Sequence, residues 1–270
     1  MDLKTSVKIK RLTIAMAVLL TLLMVSGCSF LDIFMKKDLP KASPEGLYAR
    51  ASEEYKQGSY KKAQEYFLRL KEEYPLHDLA VLAEIGVADS LFSDKEYPQA
   101  ADAYSDFISL HPLNENVPYA IYQIGMCHYH QMEAVDRDQT ETVKARNEWE
   151  KLVERYPESK FAPMAEKMLR EVKQRLAERE FYIGEFYFKQ KKYQAALGRF
   201  EKIAKEYPNV GLDYKVEYSI NETKAKIAEE EKEKLKEEAE KKKKEEQDLK
   251  KEQEKKRKEE EKKKKKTSKQ

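Results

Sequence analysis

The 270-residue chain is poor in the residues that most chemistry needs: two cysteines, four histidines, eight glycines and one tryptophan. Cys28 and Cys127 are too few for a disulfide framework. No Gly-rich stretch could cradle a phosphate, and no serine, cysteine or threonine nucleophile stands beside a recognisable base. Of the histidines, His77 and His111 follow helical stretches. His128 and His130 lie two apart on a helical stretch, so they face different sides and make no metal ligand set. Neither a catalytic site nor a cofactor or metal is expected. The only long apolar run, Leu12–Val25, is short for a membrane span. Charge is plentiful but balanced, 53 Lys and Arg against 50 Asp and Glu. Acidic residues interleave with the basic ones, which argues against a nucleic-acid partner.

What is present is a repeat. Pro75, Pro112, Pro157 and Pro208 each follow an alanine by twelve residues: Ala63, Ala100, Ala145 and Ala196. Eight before each proline stands an aromatic: Phe67, Tyr104, Trp149 and Phe200. Five before is a large apolar residue: Leu70, Phe107, Leu152 and Ile203. Fifteen before lies Tyr60, Tyr97 or Tyr193, with Thr142 breaking that column. Offsets of four and seven trace one stripe of an α-helix, and proline then ends it. The alanine is expected to let the paired helices approach, with the aromatic filling the gap to the next repeat.

A first helix precedes each of these, marked by Ala51/Tyr55, Ala88/Phe92, Gly125/Tyr129 and Gly184/Phe188. Pro44, Pro118 and Pro98 suit helix openings. The third repeat carries an eight-residue insertion around Ala134–Thr142, and residues 160–190 read as one long helix. Leu212, Val216, Ile220 and Ile227 mark a fifth first-helix acting as a cap. The pattern resembles the tetratricopeptide repeat, an all-α helix-turn-helix solenoid of four to five units whose concave side binds another chain.

Both ends are different. Lys4, Lys8, Lys10 and Arg11, then the apolar run, then Val25-Ser26-Gly27-Cys28 form an export signal resembling a bacterial lipobox. Cys28 would become the acylated first residue, and Ser29 favours the outer membrane. Residues 229–270 hold 19 Lys and Arg against 15 Asp and Glu, with only Leu235, Ala239 and Leu249 apolar. That tail is a solvated helix supported by i,i+4 pairs, or disordered, and the sharper alternative is a spacer or a contact for an anionic surface; it offers no coiled-coil seam. The expected organisation is therefore a signal peptide at 1–27, an acylated tether at 28–43, the solenoid at 44–228 and the tail at 229–270.

The run Pro118-Tyr119-Ala120-Ile121-Tyr122, then Gly125, Asp136-Arg137-Asp138-Gln139, Lys144-Ala145 and Arg155-Tyr156-Pro157-Glu158-Ser159 resembles the BamD family, lipoproteins of the outer-membrane β-barrel assembly machine. The resemblance covers about residues 30–228. It implies a lipid-anchored scaffold on the periplasmic face of the outer membrane. Its partners would be a BamA-type barrel protein, other subunits of the machine and unfolded outer-membrane proteins. It places client contacts on first helices, where Tyr48, Tyr55, Ile85, Phe92, Tyr119 and Tyr122 stand. Tyr55 and Phe92 belong to a repeating column, so core packing is an alternative for them; Tyr48 and Ile85 are expected to be freer. Arg199 stands where the family has an arginine that contacts BamA. The other reading is a different tetratricopeptide-repeat envelope lipoprotein, such as a secretin pilotin or a cell-envelope scaffold.

Replacing Cys28 with Ala should abolish incorporation of a clickable palmitate in cells and release the protein from the outer-membrane fraction. Equal labelling of both forms would overturn the anchor assignment.

Overall fold

The structure, a computed structural model, describes residues 42–267. The export signal, Cys28 and the tether up to residue 41 lie outside the described residues. Nine α-helices and no strand occur among the described residues: α1 (Pro44–Lys56), α2 (Tyr60–Glu73), α3 (Asp78–Ser93), α4 (Tyr97–Leu110), α5 (Val117–Tyr129), α6 (Thr140–Arg155), α7 (Ala162–Lys189), α8 (Tyr193–Glu206) and α9 (Asp213–Thr267). The fold is an all-α solenoid of tetratricopeptide type. The chain parts into two compact units after Ser90.

In the first unit, Ser43 caps α1 by accepting the Gly46 amide at 3.1 Å, with Pro44 in the first turn. Leu47 and Ala51 of α1 and Ala63, Phe67 and Leu70 of α2 are buried. Phe67 then meets Gly86 of α3, where a Cβ would fall 2.7 Å from the ring. Here the aromatic does reach the following repeat.

In the second unit, neighbouring helices pack in chain order from α4·α5-type contacts through to α8·α9. The stripe of alanine, aromatic and large apolar residue is buried in each of these repeats, including Tyr104, Phe107, Trp149, Leu152, Phe200 and Ile203, whereas Tyr97 and Tyr193 are half-buried. The stripe's aromatic has a further role in repeats three and four: Trp149 and Phe200 also lie against glycines of their own repeat's first helix, while Phe200 shares a core cluster with Val216 of the helix that follows. A Cβ on Gly125 would stand 2.5 Å from Trp149 Cε2, and one on Gly184 2.5 Å from Phe200 Cε1. A ring edge can reach the backbone there only because no side chain intervenes. The indole N–H is satisfied as well, donating to the Tyr122 carbonyl at 3.2 Å. Thr142, the break in the tyrosine column, is fully buried in α6 and donates to Gln139 Oε1.

Helix ends are repeated as faithfully as helix faces. Tyr74, His111, Tyr156 and Tyr207 each donate their amide to the column's large residue, Leu70, Phe107, Leu152 and Ile203, at 2.9–3.0 Å. The proline that follows has no N–H to continue the ladder. Between paired helices Gly58, Lys95 and Lys191 all take positive φ, at 77°, 67° and 59°. Each is followed by a residue whose amide reaches back five positions: Ser59 to Glu54, Glu96 to Leu91 and Lys192 to Tyr187. That is the Schellman closure, here built twice without glycine.

The long helix expected over 160–190 is α7. The insertion forms the α5–α6 connection. The capping helix does not stop: α9, 55 residues in all, runs on through the charged tail to Thr267, which resolves the helix-or-disorder alternative in favour of helix over the described residues.

One substitution should act oppositely at two glycines. Gly125→Ala forces a Cβ into a rigid indole and should destabilise by about 1–3 kcal/mol. Gly198 lies inside α8 with open space at its Cβ position, so Gly198→Ala should stabilise by about 1 kcal/mol. Denaturant unfolding of both variants checks the pair.

Candidate functional site

Three of the first-helix aromatics belong to one recurring clasp. Tyr55 packs edge-on to Tyr60 at 5.4 Å, Phe92 to Tyr97 at 5.4 Å and Phe188 to Tyr193 at 5.3 Å, with interplanar angles of 62–66°. The clasp spans each Schellman turn, so Tyr55 and Phe92 are half-buried hairpin packing. Tyr48 is half-buried too, edge-on to Phe67 at 5.7 Å. Ile85 is not free as expected; it is 8 % exposed. Its helix, α3, buries Ala80, Ala83, Gly86, Val87, Ala88 and Ser90 as well, so it has little solvent face there.

Tyr119 and Tyr122 of α5 are brought together by a residue that carries no periodic signal. Phe161, in the turn before α7, lies 5.3 Å from Tyr119 and stacks on Tyr122 at 5.9 Å and 28°. Tyr104 and Trp149 extend the ladder inward, and Lys160 Nζ lies 5.1 Å from the Phe161 centroid. All three outer rings are half-buried. Burial raises the Tyr122 phenol above its ordinary pKa. The result is a polarisable surface of ring faces and edges bordered by a cation.

The Asp136–Gln139 segment shapes the insertion. Asp138 accepts the Thr140 amide at 2.8 Å and starts α6. Gln139 Nε2 donates to the Ala134 and Arg137 carbonyls. From α7, Arg179 donates to the Val135 carbonyl at 3.0 Å and Arg175 to that of Glu133. Tyr129 donates to Glu171. Beneath the loop, His128 Nδ1 lies 2.7 Å from Glu141, which also takes Lys144 at 2.8 Å. His130 stacks on Tyr97 at 4.8 Å and 9°. The histidines are thus occupied with separate partners. Cys127 is buried and its thiol is pushed up to about 12 by burial, far from the reactive range.

Arg199 has a partner within its own chain. Its Nη1 donates to Glu180 Oε2 at 2.9 Å, and Lys202 Nζ donates to Oε1 of the same carboxylate at 2.5 Å. The Glu180 side chain is only 12 % exposed while both cations are 38 % exposed. Burial opposes ionisation of Glu180, but the bonds from Lys202 and Arg199 outweigh it and hold the carboxyl below the ordinary range. Two cations on one anion leave a net positive cluster. It borders a shallow depression of about 370 Å³ lined by Tyr187, Gln194, Ala195, Gly198, Arg199 and Lys202. Arg199 retains N–H groups that can donate to a further carboxylate.

Sequence reasoning missed Phe161, Glu180 and Lys202. It also missed two exposed aromatic pairs, Tyr182/Phe186 on α7 and Tyr214/Tyr218 on α9. Their i,i+4 spacing was the available signal.

Residues 40–246 match a family described as outer membrane lipoprotein, YfiO. The match runs past Ala228, further into the tail than the resemblance above. The chain is 34 % identical over 148 residues to a protein of Rickettsia prowazekii named outer membrane protein assembly factor BamD, covering 55 % of this chain and 59 % of that one. It is 28 % identical over 163 residues to the protein of the same name from Caulobacter vibrioides, covering 60 % of this chain and 53 % of that one. The chain thus spans little more than half the length of these relatives. Among solved structures, the TPR2AB-domain:pHSP90 complex of yeast Sti1 is similar with a TM-score of 0.40 and 16 % identity, over 68 % of this chain and 70 % of that one.

Glu180 generates a pH signature. Its folded pKa lies below the reference of 4.5, so its stabilisation is full above that value and fades as pH falls through the folded pKa. Glu180→Gln should cost about 1–2 kcal/mol at neutral pH, discounted for the partly exposed cations. The gap between the two proteins should close as pH drops below 4.5. Urea unfolding at several pH values measures it.

Proposed function

Since this chain belongs to the YfiO outer membrane lipoprotein family, we propose that it is a subunit of the outer-membrane β-barrel assembly machine, anchored through Cys28 on the periplasmic face. It is a non-catalytic scaffold that binds a BamA-type barrel protein and unfolded outer-membrane protein clients. The carrying observation is the family match over residues 40–246. Relatives named outer membrane protein assembly factor support it. The fold fits such a role, since rigidly closed helix pairs present side chains from fixed positions and need no ligand to form them.

The client surface is centred on Tyr119, Tyr122 and Phe161. Their ring faces suit the aromatic side chains of an unfolded barrel strand. Tyr48 contributes its exposed part, while Tyr55 and Phe92 act mainly as clasps. Ile85, being buried, takes no part. The BamA-type partner engages the Arg199 cluster with a carboxylate, which competes with Glu180 for the guanidinium.

Calorimetry with the full chain and a periplasmic domain of the barrel protein tests this reading. Arg199→Ala should weaken binding by about tenfold, the scale of a lost charge-assisted hydrogen bond. Glu180→Gln frees the guanidinium and should leave affinity equal or higher. Equal weakening by both variants would show that Arg199 acts only on local structure. No binding by the wild type would reject the assembly reading.

A further inference from the structure

The last helix carries a charge distribution whose basic end lies beyond the family match. Thr223 is the last buried residue of α9. From residue 231 to 258 every described side chain is exposed. The helix nonetheless runs to Thr267. Pairs such as Glu252–Lys256 at 2.8 Å and Glu254–Lys258 at 2.7 Å support it along the way.

Charge along this rod is segregated. Residues 229–254 hold 9 basic and 12 acidic residues, a net of −3. Residues 255–270 hold 10 basic and 3 acidic, a net of +7. The repeat body, residues 28–228, is −4. Solubility alone does not require such sorting, and the helix dipole favours it only within the last turn. Instead the positive end stands about 50 Å of helix beyond Thr223, at 1.5 Å per residue, with an acid-leaning stretch between it and the acidic body.

We propose that residues 255–270 form an electrostatic contact for an anionic phospholipid bilayer, so that the chain bridges a membrane surface at a distance from its repeat body. The composition favours a diffuse anionic surface over a specific partner. Nine of the ten cations are lysines and one is arginine. Lysine is a hydrated point charge suited to a field of headgroups, whereas specific phosphate clamps favour arginine's planar fork. There is no aromatic residue in the segment to stack on bases. No apolar stripe is present to seat it on a protein groove or bury it in a bilayer. Lysines near an anionic membrane surface each add to the attraction, and the sum is sensitive to salt. This inference does not rest on the assembly reading; it needs only the helix and its charge.

The acylated full chain is anchored in phosphatidylcholine liposomes and mixed with labelled vesicles containing phosphatidylglycerol. Capture of these vesicles is expected, at least about tenfold above capture of pure phosphatidylcholine vesicles, and lost in molar salt. Deleting residues 255–270 should abolish capture. Replacing Lys262, Lys263, Lys264, Lys265 and Lys266 with Glu should do the same without shortening the helix. Replacing Glu259, Glu260 and Glu261 with Lys should increase it. Circular dichroism distinguishes loss of charge from loss of helix. Equal capture of neutral vesicles, capture unaffected by the deletion, or no capture at low salt would each overturn the proposal. So would binding of soluble polyphosphate to residues 255–270 much tighter than that of the vesicles at matched charge, which would assign the segment to a dissolved polyanion.

Discussion

The contact on which the rest depends is a ring edge laid against a helix backbone that carries no side chain. Trp149 on Gly125 and Phe200 on Gly184 close the last two hairpins, and Phe67 on Gly86 joins α2 to α3. Such a contact sets the interhelical distance by the thickness of a ring and leaves no room for even one methyl group. Because each of these rings is also buried on its other sides, it cannot rotate away without opening a cavity, whose cost is typically about 3–5 kcal/mol for a whole aromatic side chain. The helix ends are then fixed by local hydrogen bonds: a Schellman turn inside hairpins one, two and four, and a proline stop after each second helix. Positions along the solenoid follow from these few contacts.

A scaffold fixed in this way can hold charge under tension. Glu180 is nearly buried, and a lone carboxylate there would be costly. Arg199 and Lys202 come from α8, across the turn from α7, and share that carboxylate. Their geometry is set by the Gly184–Phe200 contact, one turn of α7 beyond Glu180. The same dependence appears in the insertion. Its loop carbonyls are taken by Arg175 and Arg179, which are in place because α7 is continuous. Functional surface and core are therefore coupled through α7, whose first half braces repeat three and whose second half is the first helix of repeat four.

Much of this was legible in the sequence. The Ala–aromatic–aliphatic columns gave the second helices to within two residues, because period and proline stops are local properties of the chain. Lys95 and Lys191 hid their left-handed turns, since neither is a residue that advertises positive φ. The direction in which Trp149 and Phe200 point was also hidden. It depends on the absence of a side chain 24 residues earlier for Trp149 and 16 earlier for Phe200, and periodicity within one helix does not report this. Ile85 was misjudged for a related reason: a residue off the repeating column is free only if its helix has an open side, and α3 has little. Phe161 sits in a turn, where no period applies. Arg199 was found through family resemblance, but its partner Glu180 could only be found in three dimensions.

The end of α9 shows where packing stops being the cause of structure. Val216, Ile220 and Ile227 follow the helical period of a first helix, and Val216 and Ile220 pack on the cluster around Phe200. Past Ile227 the stripe ends, yet the helix does not. A polar helix lacking a packed face is stable only through its own residues: strong helix formers, opposite charges at three- and four-residue spacing and a start already nucleated by the packed part. Nucleation is the costly step in helix formation, and the folded repeat supplies it. A segment that would be marginal alone is thus carried outward as an extension of the solenoid's last helix. The repeat domain consequently sets the direction of the tail helix as well as its own surface, and any partner of residues 255–267 meets a charge carried on a helix that starts from the packing of Val216.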